Sequence, residues 1–238
     1  MNNSTFELTP IGKLLSPFKE KFGIPRQPGL IQSCSATIEL SSPYNNADAV
    51  RGLEGFSHIW LIFGFNQHDP SNWKPLIRPP RLGGNQKVGV FASRSSFRPN
   101  GLGMSLVELR NININSGTAS LEIACPDILD GTPIFDIKPY IAYSDSVDNA
   151  ICSYANTAPI PLMVVSFSNK SEDILELIAK DYDCNLRSLI KETLSFDPRP
   201  AYKAAEDSRE YGIYLYDLNI IWKVSGQEIE VISIQKKD

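Results

Sequence analysis

Residues that hold metals are scarce in this chain. There are two histidines, His58 and His68, and four cysteines, Cys34, Cys125, Cys152 and Cys184, with no C-x-x-C pair among them. Zinc sites of the usual ligand spacing are excluded, and no metal is expected. The cysteines read as four reduced, mostly buried thiols, none joined to a histidine in a nucleophile motif. Long apolar runs are missing too, since no window approaches the roughly 18 residues of a membrane span. The start, Met1-Asn2-Asn3-Ser4-Thr5, has neither the basic flank nor the apolar core of a signal peptide. A cytoplasmic location and no membrane contact are therefore expected. No Walker lysine motif occurs. Gly101-Leu102-Gly103 lacks the third glycine of a dinucleotide fingerprint, and Met104 onward reads as a strand instead of a helix.

A further absence is local. Residues 71–107 contain no Asp or Glu, yet hold Lys74, Arg78, Arg81, Lys87, Arg94 and Arg98. The remainder of the chain carries 17 of the 23 basic residues and all 27 acidic ones, so the net charge of −4 conceals a segregated basic segment. Phosphate recognition depends on local potential, and this points to a nucleic acid. Four of the six are arginines set among Pro, Gly and aromatics, a setting that suits shaped loops better than a merely solvated face.

What is present fits a globular chain of 238 residues, 42% hydrophobic and 21% charged. The first half reads as β-rich, with runs at 6–15, 33–40, 59–65, 88–91, 105–112 and 119–125 separated by Pro, Gly and Asn clusters. One helical piece is expected at 46–53, capped by Asn46 or Asp48. Such short strands suggest a closed or nearly closed barrel. A linker is expected at 144–161. Beyond it, 161–167 reads as a strand, Asn169 with Glu172 as a capping box, and 174–178 and 186–194 as helical faces. An alternating run at 211–224 would then turn through Ser225-Gly226-Gln227 into a partner strand. The fold class is mainly β with α+β. A β-barrel-like domain, not Rossmann, spans 1–145, and a small α+β domain spans 160–238.

Four segments carry the chemistry: Ile24-Pro25-Arg26-Gln27-Pro28-Gly29, Arg78-Pro79-Pro80-Arg81-Leu82-Gly83-Gly84-Asn85, residues 92–101 around Arg94 and Arg98, and residues 127–140 beginning Asp127-Ile128-Leu129-Asp130-Gly131. Loops this rich in Pro and Gly fix backbone amides and let a flat ligand approach the main chain. Arginines among them grip phosphate or carboxylate in two-point contacts. His58, inside an apolar strand, reads as a hydrogen-bonded core residue.

These strings, with Gly52-Leu53-Glu54-Gly55-Phe56-Ser57-His58-Ile59-Trp60 and Asp197-Pro198-Arg199-Pro200-Ala201-Tyr202, resemble the TsaA-like, or TrmO, family of S-adenosylmethionine-dependent tRNA methyltransferases over nearly the whole chain. The resemblance implies a non-Rossmann barrel and a homodimer with its cofactor near the subunit interface. It also implies methyl transfer to the N6 of N6-threonylcarbamoyladenosine at position 37, beside the anticodon of threonine tRNA. Carried over by position, it implies cofactor contacts at Pro25, Arg26, Gln27, Asn66, Gln67, Arg94, Leu106, Asp127, Ile128, Leu129, Asp130 and Gly131. Asn66 stands where the family often has His, and Gly101-Leu102 where Pro-Ile is common. Asp130 is the candidate proton acceptor. The tRNA is assigned to Lys74, Arg78, Arg81, Lys87, Arg98, Arg199 and Tyr202, with Arg98 and Arg81 as candidates for the threonyl carboxylate. Two other readings compete: a non-catalytic tRNA-binding module using the same loops, and an enzyme acting on a small nucleotide that never meets RNA.

Overall fold

Period-two alternation of apolar residues sets the first layer. In β3 (His58–Gly64), Ile59, Leu61 and Phe63 point inward; in β7 (Thr118–Ala124), Ala119, Leu121 and Ile123 do so. With β1 (Gly12–Leu15), β2 (Ser35–Leu40), β6 (Leu102–Asn115) and β8 (Pro133–Pro139) they close a barrel of order β1-β2-β7-β6-β3-β8, antiparallel throughout. Leu14, Ile38, Ile59, Leu61, Leu121, Ile123 and Ile134 are fully buried inside it. Each such side chain stabilises the fold by about 1.5–3 kcal/mol. The structure, a computed structural model, describes residues 6–199 and 209–237.

Between β3 and β6 lies a small arm, β4 (Leu76–Ile77) paired with β5 (Val88–Gly89). After α1 (Ala142–Asp145) the chain builds a four-stranded sheet of order β10-β11-β12-β9, from β9 (Val164–Phe167), β10 (Tyr211–Leu215), β11 (Leu218–Ser225) and β12 (Glu228–Lys236). Two amphipathic helices, α2 (Asn169–Ile178) and α3 (Leu186–Ser195), contribute Leu175, Leu186, Leu189, Ile190 and Leu194 to a core centred on Trp222.

Several expectations need correction. The piece at 46–53 is two 3₁₀ turns, Ala47–Val50 and Leu53–Gly55, with Asn46 accepting from the Asp48 N–H at 2.9 Å. The cap of α2 is Ser168, not Asn169, and Glu172 instead pairs with Arg187 across to α3. The run 211–224 is two strands, because Tyr216 takes φ 54° and turns the chain. Residues 133–139 form the strand that closes the barrel instead of a loop. The cysteines are not four reduced, mostly buried thiols: Cys34 and Cys125 form a disulfide, and Cys152 is exposed. The pairing follows from topology. Ser35 faces Ala124 in the β2–β7 ladder, so the residues just outside that pair meet, with Cα atoms 5.0 Å apart. His58 is only half-buried on the outer barrel surface, its Nδ1 2.9 Å from Ser57 Oγ.

The connection between β1 and β2 belongs to both halves. Phe18 and Ile31 are buried in the second core, and Phe18 bridges to Leu215. The Glu192 carboxylate on α3 accepts from the Gln32 N–H at 2.7 Å, the Ser33 N–H at 3.1 Å and the Ser33 hydroxyl. Glu20 accepts from the Tyr214 N–H at 2.9 Å. The Pro25–Gln27 loop is thereby held from both ends.

Candidate functional site

Antiparallel order brings the ends of β1, β3 and β7 and the starts of β2, β6 and β8 to one mouth of the barrel. Three connections leave from that mouth: 16–34, 65–101 and 125–132. The first three loop motifs read from the sequence fall inside them, and the fourth begins in the last before entering β8. Separate Pro- and Gly-rich strings thus become one surface.

A cavity of about 230 Å³ opens there. Its apolar wall is Phe63, Phe65, Ile24, Ile128 and Leu129; its polar groups are Asn66, Gln67, Ser96, Asp127, Thr132, Lys21 and His68. Burial pushes the Asp127 carboxyl above its ordinary pKa, while the Ser105 hydroxyl (2.5 Å), its own backbone N–H and the Arg94 charge offset part of that. Burial, then the Lys21 charge, lowers the His68 pKa, so the ring is neutral at neutral pH. Its Nε2 lies 3.1 Å from Lys21 Nζ and accepts a hydrogen bond from that ammonium.

The assigned cofactor residues divide into groups. Asn66, Gln67, Asp127, Ile128 and Leu129 line this cavity. Gln27 accepts from Arg94 at 2.6 Å, and the field of Arg94 reaches Asp127. Pro25 and Arg26 line a second cavity, of about 460 Å³, which shares Lys21 and Ile24 with the first. Gly131 turns the chain at φ 72° toward β8. Asp130 is turned elsewhere: it accepts from the Ser16 N–H at 2.9 Å and pairs with Lys19 at 2.8 Å, outside the cavity. Leu106 lies opposite Trp60 in the β3–β6 ladder, on the face away from buried Ser105 and Val107.

The basic residues are presented without carboxylate partners. Among the described residues, none of Lys74, Arg78, Arg81, Lys87, Arg94 and Arg98 has an Asp or Glu within ion-pair distance. Lys74 lies over the Phe97 ring at 5.1 Å. Arg98 is built into its loop, donating to the Ser93 carbonyl at 2.7 Å and the Val90 carbonyl at 3.3 Å. Arg81 donates to the Thr157 carbonyl. Arg78 and Lys87 are exposed on the arm. Arg199 is buried and holds Asp197 with two bonds of 2.8 Å, while Tyr202 lies outside the described residues.

Lys21, His68, Ser105 and the two Phe walls escaped the sequence reading. A lone histidine closing the Asn66-Gln67 string was the available signal for one of them. The Ser105–Asp127 contact spans two strands and has none.

Known proteins share this two-part organisation in sequence and overall fold. The tRNA-methyltransferase O N-terminal domain matches residues 13–146, and the TrmO C-terminal domain matches residues 160–237. This chain belongs to the tRNA-methyltransferase O family. It is 46% identical over 235 residues to the tRNA (adenine(37)-N6)-methyltransferase of Escherichia coli strain K12, covering 98% of this chain and 100% of that one. It is 41% identical over 218 residues to a putative S-adenosylmethionine-dependent methyltransferase, RcsF, of Pseudomonas aeruginosa, covering 92% of each. The crystal structure of TrmO from Pseudomonas aeruginosa superposes with a TM-score of 0.80 at 35% identity, covering 98% of this chain and 99% of that one.

Proposed function

We propose that this chain methylates the N6 of threonylcarbamoyladenosine at position 37 of threonine tRNA, with S-adenosylmethionine as donor, in the cytoplasm. The observation that carries the reading is the single mouth where an apolar cavity with a buried carboxylate adjoins unpaired arginines and lysines.

The cavity residues fit the donor. Phe63, Phe65, Ile128 and Leu129 offer apolar surface to an adenine and a thioether chain, Asn66 and Gln67 offer amides, and Arg94 beside Gln27 suits a carboxylate. When bound, S-adenosylmethionine supplies a methyl group already electrophilic on sulfur, so alignment does most of the work. Asp127, not Asp130, is the proton acceptor: it is the carboxylate in the cavity, and its raised pKa makes it the better base. It takes the N6–H proton as the nitrogen lone pair bonds the methyl carbon. The apolar walls keep water from competing.

The units 1–145 and 160–238 act together, since the second grips the loop carrying Gln27. A cavity of about 230 Å³ is smaller than the roughly 300–1,000 Å³ usual for ligands of this size. This supports a homodimer in which a second copy completes the site, bringing Leu106 to it from the outer barrel face. Lys74, Arg78 and Lys87 bind the tRNA backbone. The test is transfer of labelled methyl to tRNA with and without the threonylcarbamoyl group. Label on the modified tRNA alone is expected; binding of tRNA without any S-adenosylmethionine affinity would favour the non-catalytic module.

A further inference from the structure

The cavity of about 460 Å³ beside the cofactor site lies between the loop after β1 and the second unit, and its size suits a nucleotide side arm. Its walls include Phe22, Ile160 and Phe196, with Arg26 at the rim and Lys21 at the junction with the first cavity. Among the described residues, the Arg26 guanidinium has no hydrogen bond or ion pair, and Lys21 touches only the neutral His68 ring. The third cation there, Arg199, is already neutralised by the two-bond pair with Asp197. Two exposed cations without counter-ions, both lining one largely apolar cleft, suit an anion.

We propose that this cleft receives the threonylcarbamoyl arm of the acceptor nucleotide, its carboxylate bound by Arg26 with Lys21. The inference rests on the methyltransferase reading above. Arg81 and Arg98, the carboxylate candidates from the sequence, are less suited, because their guanidinium groups are engaged by the Thr157, Ser93 and Val90 carbonyls. The carboxylate carbon stands four bonds from N6, a reach of about 5 Å. The arm can therefore lie in the second cavity while N6 faces the first, across the shared Lys21 and Ile24. Unmodified adenine lacks the anion and would leave Arg26 unsatisfied, so the cleft reads the prior modification.

The experiment compares wild type, Arg26→Gln, Lys21→Gln and Arg26→Lys on two tRNAs. One carries the threonyl carboxylate; the other carries the same group as its carboxamide. S-adenosylmethionine affinity is measured in parallel by calorimetry. The proposal expects wild type to prefer the carboxylate tRNA in kcat/KM. Arg26→Gln should lose about 10- to 100-fold on that tRNA, through KM, so that the preference collapses. Arg26→Lys should recover part of it, and cofactor affinity should hold within about threefold in the two Arg26 variants, since Arg26 lies outside the first cavity. Arg26→Gln and Lys21→Gln keeping the wild-type preference would overturn the proposal. So would a fall in cofactor affinity matching the loss of activity, which would place Arg26 on the cofactor. Wild type methylating neither tRNA would overturn the methyltransferase reading itself, and is distinguishable from both.

Discussion

At the smallest scale, Asp127 is the proposed proton acceptor, and its protonation would link activity to stability. Its pKa is raised in the folded state, so folding favours the protonated form. The stability it contributes is present at low pH and is lost as pH rises from the ordinary carboxylate range through the folded pKa. Asp127→Asn keeps an acceptor for the Ser105 hydroxyl and removes the buried charge. It should melt no lower than wild type at neutral pH, an advantage that closes as pH is lowered through the carboxylate range. Its kcat should fall about 10²- to 10⁴-fold while S-adenosylmethionine still binds. The acid limb of the wild-type pH–rate profile should lie above the usual carboxylate range. An unchanged kcat in Asp127→Asn would remove it as proton acceptor.

At the scale of elements, strand packing and loop anchoring shape the site. Gly103 on β6 faces Phe63 on β3, and a Cβ there would stand 2.4 Å from the Phe63 ring. Phe63 is buried and walls the proposed cofactor cavity, so its ring cannot yield without altering that wall. Gly103→Ala should cost about 1–3 kcal/mol, read as a lower melting midpoint with weaker cofactor binding. Glu192→Ala removes the acceptor of three hydrogen bonds from Gln32 and Ser33. It should destabilise the chain by about 1–3 kcal/mol and weaken binding at the Gln27–Arg94 rim, measured by calorimetry. The same scale explains what was legible in the sequence. β2, β3 and β7 announce themselves by clean alternation, and the mouth loops by Pro, Gly and Arg in unusual strings. β8 does not, because Pro133 and Pro139 bound it and Asp136 and Lys138 break its apolar pattern. Nor does the turn at Tyr216, where a left-handed residue interrupts an unbroken alternation. The Cys34–Cys125 pair depends on β2 lying beside β7, which no spacing along the chain encodes.

For the molecule as a whole, charge is segregated against a net of −4. The basic arm and mouth loops give tRNA an approach that the acidic remainder would repel, so binding should be strongly salt-dependent. Replacing Lys74, Arg78 and Lys87 together with Gln should reduce the slope of log affinity against log salt by about 2. Cofactor affinity should be untouched, because none of the three lines the cavity. The basic run, assigned from the sequence to the cofactor at Arg94 and to tRNA elsewhere, is divided further by the fold. Arg94 donates to Gln27 near the proposed cofactor cavity, Arg98 and Arg81 brace their loops, and Lys74, Arg78 and Lys87 are the residues proposed for RNA. The central claim is methyl transfer to N6 of the threonylcarbamoylated adenosine, and nucleoside mass analysis of treated threonine tRNA tests it most directly. The account predicts that the threonylcarbamoyladenosine nucleoside gains one methyl group, placed on N6 by fragmentation, and that unmodified adenosine gains none. Methylation of unmodified adenosine at equal rate, or no methylated nucleoside despite bound S-adenosylmethionine, would contradict it.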